Sequence, residues 1–102
     1  MPIKIIAAGE VDGYIENSRC LLVDLRRKSD YQKIHIQGAV NIPYAIFEQS
    51  MYELPGTIPV ILYCERGSAS LDACKKATVI GINATAVMGG ILAYRGKYLV
   101  KG

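Results

Sequence analysis

Strand-like and helix-like segments alternate along the whole chain, which predicts an α/β fold built on a parallel sheet covered by helices on both faces. Two stretches, Cys20–Leu25 (CLLVDL) and Ile58–Tyr63 (IPVILY), have the length and apolar character of buried strands. Segments with apolar residues at helical spacing lie between such runs. A third observation concerns placement: Asp24, Cys64 and Gly89-Gly90 all fall at the carboxyl ends of predicted strands. Open parallel sheets hold their ligands beyond that edge.

The elements follow in order. Ile3–Ile6 reads as a short first strand, and Gly9–Glu16 as a short helix carrying Val11, Tyr14 and Ile15 on one side. After the Cys20–Leu25 strand, Ser29 is a favoured N-cap for a helix from Asp30 to Ile34. Gly38–Asn41 predicts a brief strand closed by Ile42-Pro43. Tyr44–Leu54 predicts a helix with Ile46, Phe47, Met51 and Leu54 inward, stopped by Pro55-Gly56. The Ile58–Tyr63 strand leads through Cys64 into a helix from Ser68 to Ile80, with Ala73, Cys74, Ala77 and Ile80 on its buried face and Gly81 ending it. Ala84–Met88 is the last strand, Gly89-Gly90 a turn, and Ile91–Tyr94 a final short helix; the segment from Tyr94 to Gly102 reads equally as a strand edge or a tail.

With 102 residues, 51% of them hydrophobic and 21% charged, the chain predicts one domain with a single core, spanning residues 1–102. The net charge of +3 is scattered apart from Arg26-Arg27-Lys28, which reads as a solvated approach to a helix. No basic stripe with interleaved aromatic residues points to nucleic acid, and no apolar run approaches a membrane span. The three cysteines form no CxxC pair, so neither a disulfide framework nor a metal site is expected. With no signal-like apolar core at the N-terminus, the expected setting is reducing and cytoplasmic.

Cys64 is the candidate nucleophile. It sits at a strand end and opens the polar loop Glu65, Arg66, Gly67, Ser68, Ala69, Ser70, which feeds a helix N-terminus. Backbone N–H groups converging on one sulfur, together with the positive helix end, stabilise a thiolate that serves as a nucleophile at neutral pH. Gly67 lets successive amides turn to one point, Ser68 and Ser70 add hydroxyls, Arg66 adds a cation, and Glu65 is expected to face solvent. Cys74 reads as core and Cys20 as an inert strand-edge thiol. His35, the sole histidine, reads as a structural hydrogen-bonding group rather than a general base. Asp24 and Arg26 flank Leu25; the expected arrangement is an intramolecular ion pair of Arg26 with Asp30, with Asp24 hydrogen-bonding neighbouring loops.

The ordered set Val23-Asp24-Leu25-Arg26, Asp30-Tyr31, His35-Ile36, Gly38-Ala39, Asn41-Ile42-Pro43, Glu53-Leu54-Pro55, Val60–Cys64, Gly67, Ser70 and Gly89-Gly90 resembles a rhodanese domain over nearly the whole chain. The resemblance implies a five-stranded, mostly parallel sheet flanked by helices, and a sulfurtransferase without cofactor or metal. It implies a persulfide on Cys64 cradled by residues 65–70, with Asp24, Arg26, Asp30, Gly89 and Gly90 as structural support. The implied partners are a small anionic sulfur donor such as thiosulfate, a cyanide or thiol acceptor, and in a cell a sulfur-relay protein. Three positions depart from the family pattern: Asp30 stands where glutamate is usual, Ile34 where glycine is common, and Tyr94 roughly where a tryptophan is frequent. If position 34 required a positive φ, Ile34 would be strained there.

Two rival readings are set against this one. A cysteine phosphatase or arsenate reductase uses Cys-x5-Arg, and the arginine position here is Ser70. A non-catalytic binding or redox-sensing module of the same fold is the other alternative, and the retained Cys64 with its glycine-bearing loop argues against it.

Overall fold

The computed structural model describes residues 3–102. Five strands form one sheet: β1 (Lys4–Ala7), β2 (Leu21–Asp24), β4 (Val40–Asn41), β5 (Val60–Tyr63) and β6 (Ala84–Met88), in the spatial order β1-β6-β5-β2-β4. Every adjacent pair is parallel. Four α-helices run over Val11–Asn17 (α1), Lys28–Lys33 (α2), Tyr44–Ser50 (α3) and Ser68–Val79 (α4). The α/β reading, with its parallel sheet between helical layers, holds. None of the described helices is long and apolar enough to cross a membrane.

The central strand shows why the sheet forms. Successive side chains of a strand point to opposite faces, so Val60, Leu62 and Cys64 enter one core with Phe47, Met51, Ala73, Cys74 and Ala77 from α3, α4 and the turn after α3. Ile61 and Tyr63 enter the other core, with Val11, Ile36, Ile91 and Tyr94. A strand buried on both faces reads as a continuous apolar run, as this one does. The small residues Ala73, Cys74 and Ala77 let α4 lie close on the sheet. Gly81, at φ +91°, closes α4: the Ile82 N–H bonds the Ala77 carbonyl and the Gly81 N–H bonds the Thr78 carbonyl, both at 3.1 Å.

Several boundaries and one pairing differ from expectation. The first strand begins at Lys4, and the helix expected over residues 9–16 splits into a one-turn 3₁₀ segment, Ala8–Glu10, followed by α1. The helix expected over residues 44–54 also splits: α3 gives way to a 3₁₀ turn at Met51–Glu53. Ile46 lies outward at 47% exposure; Phe47 is the buried residue of this short helix, and Met51 is buried in the turn that follows it. Ser29 does not cap α2. Arg27, in extended backbone, takes the cap position without a side-chain bond, and the helix starts at Lys28. The final helical turn, Ile91–Ala93, is 3₁₀.

A second, two-stranded sheet joins β3 (His35–Ile36) to β7 (Leu99–Val100) in antiparallel register. The C-terminal segment is therefore an ordered strand edge. It is also tied down by the Gln37 N–H to the Tyr98 carbonyl at 2.7 Å and by the Gly102 N–H to the Gln32 carbonyl at 2.8 Å. Ile34 caps α2 at φ −164°, which is extended backbone, so the isoleucine is unstrained.

Candidate functional site

Cys64 follows β5 directly, and α4 starts four residues later at Ser68. Gly67, at φ +114°, is the N-cap of α4 and reverses the loop so that its own N–H points back at the sulfur. Cys64 Sγ accepts hydrogen bonds from the Gly67 N–H at 3.0 Å and the Ser70 N–H at 3.3 Å. Ser70 is fully buried; its hydroxyl donates to the Gly67 carbonyl at 3.0 Å and lies 3.6 Å from Sγ. Two amides and a hydroxyl thus surround the sulfur on its protein side. The first N–H groups of any helix lack intrahelical acceptors, and those of Ser68 and Ala69 belong to this class.

The Gly89-Gly90 turn and the 3₁₀ segment after it hold the loop from outside. The Ile91 N–H bonds the Cys64 carbonyl at 2.8 Å, and the Leu92 N–H bonds the Glu65 carbonyl at 3.1 Å. With their carbonyls tied outward, these peptide units keep the loop curled around Sγ. The chain approaches so closely that a Cβ on Gly90 would lie 2.5 Å from the Cys64 carbonyl oxygen, and one on Gly67 would lie 3.1 Å from the Gly89 nitrogen. Both glycines are needed for this contact. The roles of Ile91 and Leu92 had no sequence signal, because backbone N–H donors are common to every residue except proline.

A cavity of about 340 Å³ opens in front of Cys64. One wall is the loop, with Glu65, Arg66, Ser68 and Ala69; the other is the end of β2 and the start of α2, with Leu25, Arg26, Arg27 and Asp30. Arg27 belongs to the basic triplet that the sequence predicts to be solvated; it is exposed, and the direction of the chain after β2 also places it on this wall.

Arg26 pairs with Asp24, not with Asp30. Its Nη2 lies 2.8 Å from Asp24 Oδ2, its Nε 3.2 Å from each carboxylate oxygen, and its backbone N–H 2.8 Å from Oδ1. The guanidinium also donates to the Ile34 carbonyl at 2.5 Å. Asp24 is 0% exposed, so a charged partner two residues away satisfies it where a reach to α2 is unnecessary. Burial disfavours the Arg26 cation, but the hydrogen bonds and attraction to Asp24 outweigh this and leave its pKa raised. Asp30 instead meets Arg27 at 3.3 Å on the surface. Beside the pair, burial raises the pKa of Tyr63, whose hydroxyl accepts the Ile36 N–H at 3.1 Å.

His35 is buried away from this chemistry: its ring stacks on Tyr31 at 3.8 Å, and its Nδ1 lies 2.9 Å from the Tyr31 carbonyl. Cys74 lies at 0% exposure on the α4 face against the sheet, and Cys20 is half-buried beside α1; all three cysteines are free. Among the described residues, no cluster of three or more His, Cys, Asp or Glu is placed to hold a metal ion.

Comparison with known proteins agrees with this architecture. The chain is 31% identical over 75 residues to a sulfurtransferase of Allochromatium vinosum, covering 72% of this chain and 70% of that one. It is 28% identical over 100 residues to a tRNA uridine(34) hydroxylase of Buchnera aphidicola subsp. Baizongia pistaciae, covering 87% of this chain but only 31% of the longer enzyme. It spans less than half the length of several of its curated relatives. The crystal structure of a rhodanese-like domain protein from Staphylococcus aureus superposes with a TM-score of 0.88 at 22% identity, covering 98% of this chain and 99% of that one. A family model described as a rhodanese-like domain matches residues 7–97. The chain belongs to the rhodanese-like domain family.

Proposed function

We propose that the protein is a sulfurtransferase that carries sulfane sulfur on Cys64. The observation that supports this most is the pair of amide bonds to Cys64 Sγ from Gly67 and Ser70, at a cysteine that lines a cavity. The Cys64 thiolate attacks the outer sulfur of a donor such as thiosulfate. The donor S–S bond breaks, sulfite leaves with its electron pair, and a persulfide remains on Cys64. An acceptor, cyanide or a thiolate, then attacks the terminal sulfur, and Cys64 departs as thiolate. The sulfur rests covalently on Cys64 between the two displacements, so the kinetics are ping-pong. Amides of the loop, with those of Ser68 and Ala69 at the α4 N-terminus, are the preorganised donors for the anionic persulfide.

Intact mass after exposure to thiosulfate or inorganic polysulfide tests the reading. A gain of one sulfur that cyanide removes, and that Cys64→Ala never acquires, is the expected result. Failure of every sulfane donor to add sulfur would leave a binding or redox-sensing module of the same fold. Ser70 stands where a phosphatase carries arginine and is buried, so aryl phosphate turnover is not expected.

A further inference from the structure

β1 is an edge strand: it pairs with β6 on one side and, among the described residues, with no strand on the other. Glu10 closes the carboxyl end of that free edge by accepting the Ala7 N–H at 2.7 Å, which leaves the stretch from Ile3 to Ile6 open. Side chains two residues apart on a strand share a face. Ile6 enters the core that holds Val11, whereas Ile3 and Ile5 lie on the α4 face. Each of these two isoleucines lines a cavity between β1 and α4. One, of about 290 Å³, is bounded by Ile5, Leu71, Met88 and Arg66. The next, of about 240 Å³, is bounded by Ile3, Lys75, Thr78 and Val79. Ile5, Met88 and Val79 are exposed, the last at 80%.

The charged residues that line these two cavities are both cations, Arg66 and Lys75, and among the described residues neither has an ion-pair partner. Asp72, the acidic residue of α4, is held by Lys76 at 3.2 Å. A second copy of the chain brought edge to edge would set these cations against their own kind. An acidic partner is complementary to them. We propose that the free edge of β1 is a docking site for a partner protein that presents an extended segment, with apolar residues at alternate positions and acidic residues on either side of them. Ile3 and Ile5 are about 6.6 Å apart along the strand, which is also the spacing of alternate side chains on an added strand. Two same-face side chains of the partner fill the two cavities while its backbone pairs with the open edge, and its carboxylates meet Arg66 and Lys75. Arg66 lines this surface and the cavity at Cys64 alike, so the docked segment lies beside the Cys64 loop. The inference concerns binding and stands apart from the sulfur-transfer reading. With so short an edge, the contact belongs to the weak, transient class.

The test titrates the isotope-labelled whole chain with a capped peptide of alternating valine and threonine flanked by glutamates, and follows the backbone amides by NMR. Shifts confined to β1, to α4 from Leu71 to Val79, and to Arg66 and Gly67 are expected. A lysine-flanked peptide of the same core should bind at least about fivefold more weakly, since it loses two exposed ion pairs, and Lys75→Glu should narrow that gap at least about twofold. N-methylation of the peptide's amides removes its strand donors without touching the protein and should abolish the shifts. The proposal fails if no shifts appear at about 1 mM peptide, if they fall elsewhere on the molecule, or if the lysine-flanked or N-methylated peptide binds equally well. A dimer of the peptide-free chain in sedimentation, broken by Ile5→Lys, would assign the edge to a second copy and overturn the proposal as well.

Discussion

Gly90 lies directly against Cys64: a Cβ on the glycine would sit 2.5 Å from the cysteine's carbonyl oxygen, the same oxygen that accepts the Ile91 N–H at 2.8 Å. The turn at the end of β6 is thus the outer support of the loop that curls around Cys64 Sγ. Gly90 has φ +63° and ψ −160°, a region open in practice to glycine alone. Gly90→Ala therefore meets both backbone strain and overlap. The expected cost is about 2 kcal/mol or more in urea unfolding, with persulfide formation at Cys64 lost in the fraction that remains folded. Native stability together with native sulfur loading in this variant would show that the loop does not depend on the turn.

The Asp24–Arg26 pair supports the facing wall. Asp24→Asn keeps the shape but removes the charge that compensates a guanidinium almost wholly withdrawn from water. Breaking a buried pair on one side costs about 3–5 kcal/mol, and denaturant unfolding measures it. Asp30→Asn touches only an exposed pair at 3.3 Å, so its expected effect is below about 1 kcal/mol. Equal costs for the two variants would contradict the pairing described above.

The parts legible in the sequence are those governed by local pattern. The apolar run at Val60–Tyr63 marks a strand buried on both faces because period-two alternation sends its side chains to two cores. Cys64, Gly67 and Ser70 could be read as a loop because cysteine, glycine and a helix start fall within a few residues. The rest depends on contacts distant along the chain. Arg26 was expected to reach Asp30, but the hydrogen bond to the Ile34 carbonyl and the burial of Asp24 decide its partner. His35–Ile36 becomes a strand only because Leu99–Val100 returns beside it. Arg27 faces the cavity through the path of the chain after β2, which no spacing rule encodes.

The three thiols should differ in reactivity. Burial raises the pKa of Cys20 and of Cys74, so both remain protonated at neutral pH, and Cys74 is also sealed between α4 and the sheet. The thiolate is the reactive form. Cys64 lines the cavity and already accepts two amide N–H bonds. In the native protein at neutral pH, iodoacetamide should label Cys64 before Cys20, with Cys74 labelled only on unfolding, because Cys64 lines the cavity whereas burial holds Cys20 and Cys74 as thiols. Peptide mass mapping over time reads the order. Equal rates at Cys64 and Cys20 would remove the physical basis for treating Cys64 as the nucleophile.

Alkaline stability should report on Tyr94. Its hydroxyl donates to Asp12 Oδ1 at 2.5 Å and accepts the Tyr98 N–H at 3.1 Å, which fastens the C-terminal segment to α1. Burial first, and the hydrogen bond to Asp12 second, push its pKa up from 10.0 to about 12. The folded state thus holds this proton more tightly than the unfolded chain. The resulting stabilisation is complete below the unfolded value near pH 10 and is lost as pH rises from there through about 12. Tyr94→Phe removes the titration along with both hydrogen bonds. At neutral pH the variant should be less stable by about 1–2 kcal/mol. Its decline between pH 10 and pH 12 should be shallower than that of the native chain, though not flat, because Tyr63 is also raised by burial and is retained. Urea unfolding at three pH values gives both quantities, and parallel alkaline declines would show that the tyrosine at position 94 is not the group that titrates.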